Sequence, residues 1–267
     1  MRPVAVILAG LCSVFLSACD ELLDGAWNRV QEDFHYSYAL SPGGKIEVEN
    51  QNGGIDISGW DQSAVDISGT KYASTPERLR DLRIEVSHGA DLVTIRTIPP
   101  LEHWGNSGVR YSIRVPRRTE LTRVASSNGS IHVDSIDGAA RLHTSNGPIR
   151  GNGVTGALDI ETSNGRVELT DVNGPVAART SNGAIDLTFD AVRDVRASTS
   201  NGGISLRLPA EPAASLRAHT SNGAIHSDFD VTAHGLISKR SLEGAIGAGG
   251  PLLDLSTSNG SIRLLRR

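Results

Sequence analysis

Apolar and polar residues alternate along most of this chain in short bursts, and the bursts recur with a fixed period. Aligned on the asparagines of a repeated Thr-Ser-Asn-Gly phrase, the chain shows mainly apolar columns. Three residues after Asn stand Ile131, Ile149, Val167, Ile185, Ile204, Ile225, Ile246 and Ile262; five after it come Val133, Leu169, Leu187, Leu206 and Leu264, with Gly151, Ser227 and Ala248 as exceptions. Six before it stand Ala140, Leu158, Val176, Val195, Leu216, Ile237 and Leu253. Four before it stand Val124, Leu142, Ile160, Ala178, Ala197, Ala218 and Leu255. The columns between are mostly polar. Period-2 alternation of this kind marks half-buried strands.

Asn128, Asn146, Asn164 and Asn182 are each 18 residues apart, and Asn201, Asn222 and Asn259 continue the series more loosely. Ser241 to Ile246 reads as a degraded copy filling the gap before Asn259. Halfway between the turns lie Asp137-Gly138, Thr155-Gly156 and Asn173-Gly174, so the underlying beat is nine residues. Two strands and two tight turns per 18 residues describe one coil, with Asn-Gly expected at φ > 0. A meander of hairpins with type I′ turns fits the local pattern too. It would leave an 18-residue identity repeat optional, whereas a coil stack sets each residue on its counterpart. The predicted fold is therefore all-β: a parallel β-solenoid of about eight 18-residue coils with two strands per coil, behind an irregular N-terminal β cap. Each coil buries roughly four aliphatic side chains, at about 1.5–3 kcal/mol apiece. Ordering its backbone costs roughly 1–2 kcal/mol per residue, so no coil stands without its neighbours.

The chain opens on an export signal: Arg2, an apolar run from Val4 to Leu16, and Leu16-Ser17-Ala18-Cys19. That box resembles the lipobox of bacterial lipoproteins, which implies a diacylated Cys19 as the first mature residue. An ordinary signal peptide with an incidental Cys, or an N-terminal membrane anchor, is the alternative, although the apolar run is short for a span. The only other cysteine, Cys12, lies in the segment to be removed, so no disulfide is expected. The expected divisions are a signal peptide over 1–18, a membrane-proximal tether over 19–33, the cap over 34–116 and the repeats over 117–267. Within the cap, Lys45 to Ile57 reads as an early coil cut off by an insertion. Thr75-Pro76-Glu77 reads as a helix start, and Leu82 to Val86 with Leu92 to Ile98 as paired strands.

Lipobox, Ile55-Asp56-Ile57-Ser58-Gly59-Trp60-Asp61, Tyr111-Ser112-Ile113-Arg114-Val115-Pro116 and the serial Thr-Ser-Asn-Gly units together resemble the bacterial β-strand-repeat "putative adhesin" family, a domain of unknown function. The likeness covers about residues 34–267. It implies a cell-envelope role, with some relatives tied to envelope-stress systems, and it carries over no catalytic residue.

A formal net charge of −4 points to neither nucleic acid nor an anionic membrane surface as partner. Aromatics make up 4%, as thin cores with many turns require. Parallel β-helices can carry polysaccharide-cleaving enzymes, whose chemistry needs carboxylates converging on one face. Here the column four after Asn reads His132, Arg150, Glu168, Asp186, Ser205, His226, Gly247 and Arg263, alternating in sign. Arg150 should stack near Glu168, and Glu161 near Arg179, as solvated ion pairs. Glu168 with Asp186 is the one candidate acid pair. The eight histidines show no metal-ligand spacing, and no calcium-binding repeat is present, so no metal or other cofactor is expected. Columns of Thr (Thr144, Thr162, Thr180, Thr199, Thr220, Thr257) and Ser (Ser127, Ser145, Ser163, Ser181, Ser200, Ser221, Ser258) should bond coil to coil with the Asn amides. A polar strip for a glycan is the functional alternative. Arg266 and Arg267 would discourage end-to-end stacking. The sequence reads as a non-catalytic, lipid-anchored structural or adhesive module of the envelope, whose partners are the membrane and a glycan or envelope protein. A carbohydrate-active β-helix enzyme and an envelope-stress accessory binding a membrane protein are the alternatives.

Overall fold

Period-2 alternation, punctuated by glycine turns, yields 23 strands and one short helix in a computed structural model that describes residues 29–100, 107–233 and 238–267. Ahead of the regular run lie β1 (Val30–Ala39), β2 (Lys45–Glu49), β3 (Ile55–Trp60), β4 (Ala64–Ala73), α1 (Pro76–Asp81), β5 (Arg83–His88), β6 (Leu92–Ile98) and β7 (Gly108–Pro116). The run supplies β8 (Glu120–Asn128), β9 (Ile131–Ile136), β10 (Ala140–Asn146), β11 (Ile149–Val154), β12 (Leu158–Asn164), β13 (Val167–Thr170), β14 (Val176–Asn182), β15 (Ile185–Thr188), β16 (Val195–Asn201) and β17 (Ile204–Leu208). After it come β18 (Ala214–Thr220), β19 (Ile225–Ser227), β20 (Val231–Ala233), β21 (Ser241–Ile246), β22 (Leu252–Asn259) and β23 (Ile262–Arg266).

Among the described residues the strands form two sheets. One has 11 strands in the order β1-β4-β7-β3-β9-β11-β13-β15-β17-β23-β19, the other 12 in the order β20-β21-β18-β22-β16-β14-β12-β10-β8-β2-β6-β5. Each Asn-Gly turn carries the chain from the second sheet to the first. The apolar columns before Asn therefore face those after it, and Ile131, Ile149, Ile160, Val167, Ile185 and Ile204 are fully buried between the sheets. Neighbours in the run are parallel and one repeat apart, as in Leu142↔Ile160 and Ile149↔Val167. Parallel pairing rules out the hairpin meander, whose neighbours would be antiparallel.

Lys45 to Trp60 forms a coil of the stack, its strands lying between β8 and β6 and between β9 and β7. Around it the chain turns antiparallel: β4, after the coil, and β1, ahead of it, extend one sheet, and β5 the other. Val30 to Asp33, expected in the tether, already belong to β1. The Thr75 hydroxyl accepts from the Arg78 N–H at the start of α1, which buries Leu79. Beside this region a buried network closes the first turn. Asn50 Nδ2 donates to the Val109 carbonyl at 2.8 Å, Thr97 Oγ1 donates to Asn50 Oδ1 at 2.9 Å, and Thr97 lies 2.7 Å from the Tyr111 hydroxyl. Burial pushes the Tyr111 phenol up to about 12.

Three expectations are overturned. The Asn-Gly turns do not generally require positive φ: in that column only Gly53 and Gly147 lie there. What Gly165 supplies is room, because a Cβ there would sit far inside contact distance of the Gly147 carbonyl. Nor is Ser241 to Ile246 a coil. β21 pairs antiparallel with β18 and β20, while Ile237 lies outside the described residues. Finally, the coil carrying Arg266 and Arg267, expected to guard an end of the stack, is not the last in space. β22 lies between β16 and β18, and β23 between β17 and β19, all parallel.

Candidate interaction surface

At the Asn-Gly edge the turn asparagines stand in single file. Asn128 Nδ2 donates to Asn52 Oδ1, Asn146 to Asn128, Asn164 to Asn146, Asn182 to Asn164 and Asn201 to Asn182, each at 2.8–2.9 Å. Asn259 then donates to Asn201 and Asn222 to Asn259, at 2.8 and 2.9 Å. All seven asparagines of the sequence series join one ladder, with Asn259 between Asn201 and Asn222. Asn52 is the rung that the 18-residue spacing misses, because an insertion separates it from Asn128. Its signal was Gln51-Asn52-Gly53, which repeats the Asn-Gly of the later turns.

The two hydroxyl columns part company. Thr144, Thr162, Thr180, Thr199, Thr257 and Thr220 point inward and are at most 6% exposed. Each donates to the glycine carbonyl of the neighbouring coil, at 2.8–3.2 Å: Thr144 to Gly129, Thr162 to Gly147, Thr180 to Gly165, Thr199 to Gly183, Thr257 to Gly202 and Thr220 to Gly260. Thr stands two residues before Asn, on the face of the apolar columns, so the same period-2 rule puts it in the core. The serines point outward, and all but half-buried Ser145 are exposed. They form a narrow polar strip beside the Asn file.

On the outer face of the 11-stranded sheet Glu168 and Asp186 are register partners. Each carboxylate is taken by an arginine: Glu168 by Arg150 at 3.5 Å, Asp186 by Arg166 at 3.4 Å. Opposite them, Arg141 meets Asp159 at 3.3 Å and Arg196 meets Asp254 at 3.4 Å. Glu161 is in register with Arg179, yet its carboxylate lies 3.6 Å from His143 Nδ1. Beside the second turn a shallow groove of about 500 Å³ runs over Leu158, Pro175, Val176 and Leu252, rimmed by Arg196 and Asp254.

One cluster gave no periodic signal. Asp66, buried in the antiparallel extension, accepts from His35 Nε2 at 2.7 Å and from Arg114 at 3.0 Å, and Arg114 lies over the Trp60 ring at 4.4 Å. The His35 hydrogen bond, helped by Arg114, holds the Asp66 carboxyl below its ordinary range against the opposing effect of burial. The cluster ties β1, β4 and β7 together. Arg266 and Arg267 also differ from expectation. Arg267 pairs with Asp171 and Asp190, the Arg266 N–H donates to Asp228, and its guanidinium covers Phe229, so they fasten the last coil in place. Cys19 lies outside the described residues. Among those described, no group of three or more His, Cys, Asp or Glu is placed to hold a metal, and no helix is long and apolar enough to cross a membrane.

A family model described as Toastrack DUF4097 matches residues 42–265. Among solved structures, the chain is similar to a putative adhesin from Bacteroides fragilis, at 14% identity over 88% of this chain and 97% of that one, with a TM-score of 0.42. It is also similar to a putative cell adhesion protein from Clostridium sporogenes, at 13% identity over 88% and 100%, with a TM-score of 0.37. No curated protein matches the sequence.

Proposed function

The chain belongs to the Toastrack DUF4097 family, and we propose that it is a non-catalytic structural or adhesive module of the bacterial cell envelope, anchored to a membrane through a lipid on Cys19. In this reading residues 1–18 are removed and the chain from Cys19 up to β1 forms the tether. The coil of β2 and β3 joins those from β8 onward in a parallel β-solenoid of about eight coils, capped by the antiparallel strands beside it. The observation that carries the non-catalytic reading is the pairing of Glu168 with Arg150 and of Asp186 with Arg166. A glycosidase needs one carboxyl free to protonate a leaving group and another facing the sugar. Here both acids are engaged in ion pairs on the outer face of the sheet. What the molecule offers instead is a regular edge of stacked Asn and exposed Ser side chains, suited to contacting an envelope glycan or protein.

Two measurements test this. Cys19→Ser should abolish incorporation of a lipid label and release the chain from membranes; a Ser variant that still sediments with washed membranes would overturn the anchor. Envelope polysaccharides incubated with the protein should yield no new reducing ends. Release that disappears in Glu168→Gln/Asp186→Asn, with the fold intact, would make the chain an enzyme.

A further inference from the structure

The coil of β22 and β23 is seated in a slot between two coils that precede it in sequence. Leu252 to Arg266 lies between the coil of β16 and β17 and the coil of β18 and β19, in register on both sides, as in Thr199↔Thr257↔Thr220 and Ala197↔Leu255↔Ala218. The slot needs this filling. In the column four before Asn, Leu255 lies in register between Ala197 and Ala218, so the bulky side chain at that level of the core comes from the last coil. The segment Pro209-Ala210-Glu211-Pro212-Ala213 bridges the slot. It lengthens the Asn201-to-Asn222 spacing to 21 residues and holds the two walls one coil apart.

The coil is joined to the chain before it by Gly247-Ala248-Gly249-Gly250-Pro251. Gly247, Gly249 and Gly250 have φ of 57°, 75° and 150°, conformations that side chains would resist and that suit a hinge. Its bonds to the walls are made with residues outside the segment. Asp194 accepts from the Leu252 N–H at 2.8 Å, Asp254 meets Arg196 at 3.4 Å, Thr257 donates to the Gly202 carbonyl, Thr220 donates to that of Gly260, and Arg267 meets Asp171 and Asp190. Each could be made unchanged with the walls of another copy. The bonds tied to its own hinge are few, such as Gly249 N–H to the Ile246 carbonyl.

We propose that residues 251–267 are exchangeable between copies of this chain, so that two chains join by each filling the other's slot. Closed and exchanged forms then hold the same wall contacts, and concentration decides between them. A flexible tether gives its own slot an effective concentration of roughly a millimolar. Dilute chains close on themselves, and chains crowded together exchange coils.

Ser198 and Ser256 are register partners across one wall and face outward, so they report on the slot. Full-length Ser198→Cys and Ser256→Cys chains, unfolded and refolded together in detergent, are treated with a short bismaleimide. The unaltered chain, with Cys12 and Cys19, sets the background. At roughly 100 µM about a tenth of the chains should carry a 198–256 link between two chains, located by mass spectrometry, falling about a hundredfold at 1 µM. The double variant Ser198→Cys/Ser256→Cys, refolded at 1 µM, should link within one chain, which shows that both positions react in the folded protein. A double variant that links internally while the mixed single variants give no 198–256 link even at the higher concentration would overturn exchange.

Discussion

From β8 to β17 the order of strands in space follows their order in sequence; from β18 to β23 it does not. Both regions use the same phrase, the same buried threonines and the same Asn file. In the middle, each coil can reach only its predecessor, because its residue three after Asn and the next coil's residue six before Asn are nine or ten positions apart, as with Ile185 and Val195, whereas Ile204 and Leu216 are twelve apart. At the C-terminal end a longer bridge skips a place, and the chain returns to fill it. The columns thus fix register without fixing order: any coil bearing Thr-Ser-Asn-Gly fits beside any other, and linker length decides which neighbours meet. Neighbour number in space, and not position along the chain, should then govern what a substitution costs.

The largest effects should come from the glycine file. Gly165, Gly260 and Gly223 each leave no room for a Cβ against a backbone carbonyl, of Gly147, Gly202 and Gly260 respectively. Gly165→Val should cost about 3 kcal/mol or more, since two backbones must separate. Gly260→Val should cost as much, because its coil has neighbours on both sides. Gly223→Val strikes an equally close carbonyl, but β19 is an edge strand that can lift away, so it should cost at least about 1 kcal/mol less. Denaturant melts of the three rank them, and a milder Gly260 than Gly223 would restore chain order as the rule.

A smaller version of the contrast lies in the core. Ile185 and Ile225 occupy the same column, Ile185 fully buried on β15 and Ile225 half-buried on edge strand β19. Ile185→Ala should lose about 3 kcal/mol. Ile225→Ala should lose about 1 kcal/mol, because it removes less buried area and leaves a cavity open to solvent. Equal losses by thermal or chemical melts would mean that the β19 edge is as tightly held as the middle.

The antiparallel extension at the other end adds a pH dependence. Asp66 has its carboxyl pKa lowered in the fold by His35 and Arg114. Its stabilisation is therefore complete above the unfolded carboxyl value of about 3.9 and is lost as pH falls through the lower folded value. Asp66→Asn should cost about 1–2 kcal/mol at neutral pH, and the gap between variant and parent should shrink as pH drops below about 4. A gap that stays constant down to pH 2 would show that the carboxylate charge is not what β1 depends on.

The strands, the turn positions, the helix start at Thr75 and the parallel stacking were legible because each repeats, or follows a local capping rule. The order of coils was not, since residues identical from coil to coil cannot say which neighbours which. Its trace was there in the change from 18 residues between Asn164 and Asn182 to 21 between Asn201 and Asn222, and in Pro209 and Pro212. Thr162 and its counterparts read as a polar ladder because hydroxyls suggest solvent, although their parity with Ile160 places them inside. The Asp66 cluster depends on β1 folding back antiparallel on β4, a long-range pairing that no column announces.

The smallest predicted effect returns to the Asn file. Asn164 donates to Asn146 and accepts from Asn182, whereas Asn222, at the outer end, donates to Asn259 and accepts from no asparagine among the described residues. Both side chains are exposed, so water competes for every bond and each is worth little, toward the low end of the usual 0.5–1.5 kcal/mol. Asn164→Ala breaks two bonds and strands two partner amides that water can satisfy, at a cost of about 1 kcal/mol. Asn222→Ala breaks one, at about half that. The two substitutions remove the same atoms from the same kind of turn, which cancels most of the unfolded-state contribution. Asn259→Ala decides between the two rules, because Asn259 comes last along the chain but bonds to Asn201 on one side and Asn222 on the other. Its loss should match that of Asn164 within error. A value matching Asn222 instead would mean that the last coil is held more loosely than its neighbours and that its two-sided pairing contributes little to stability.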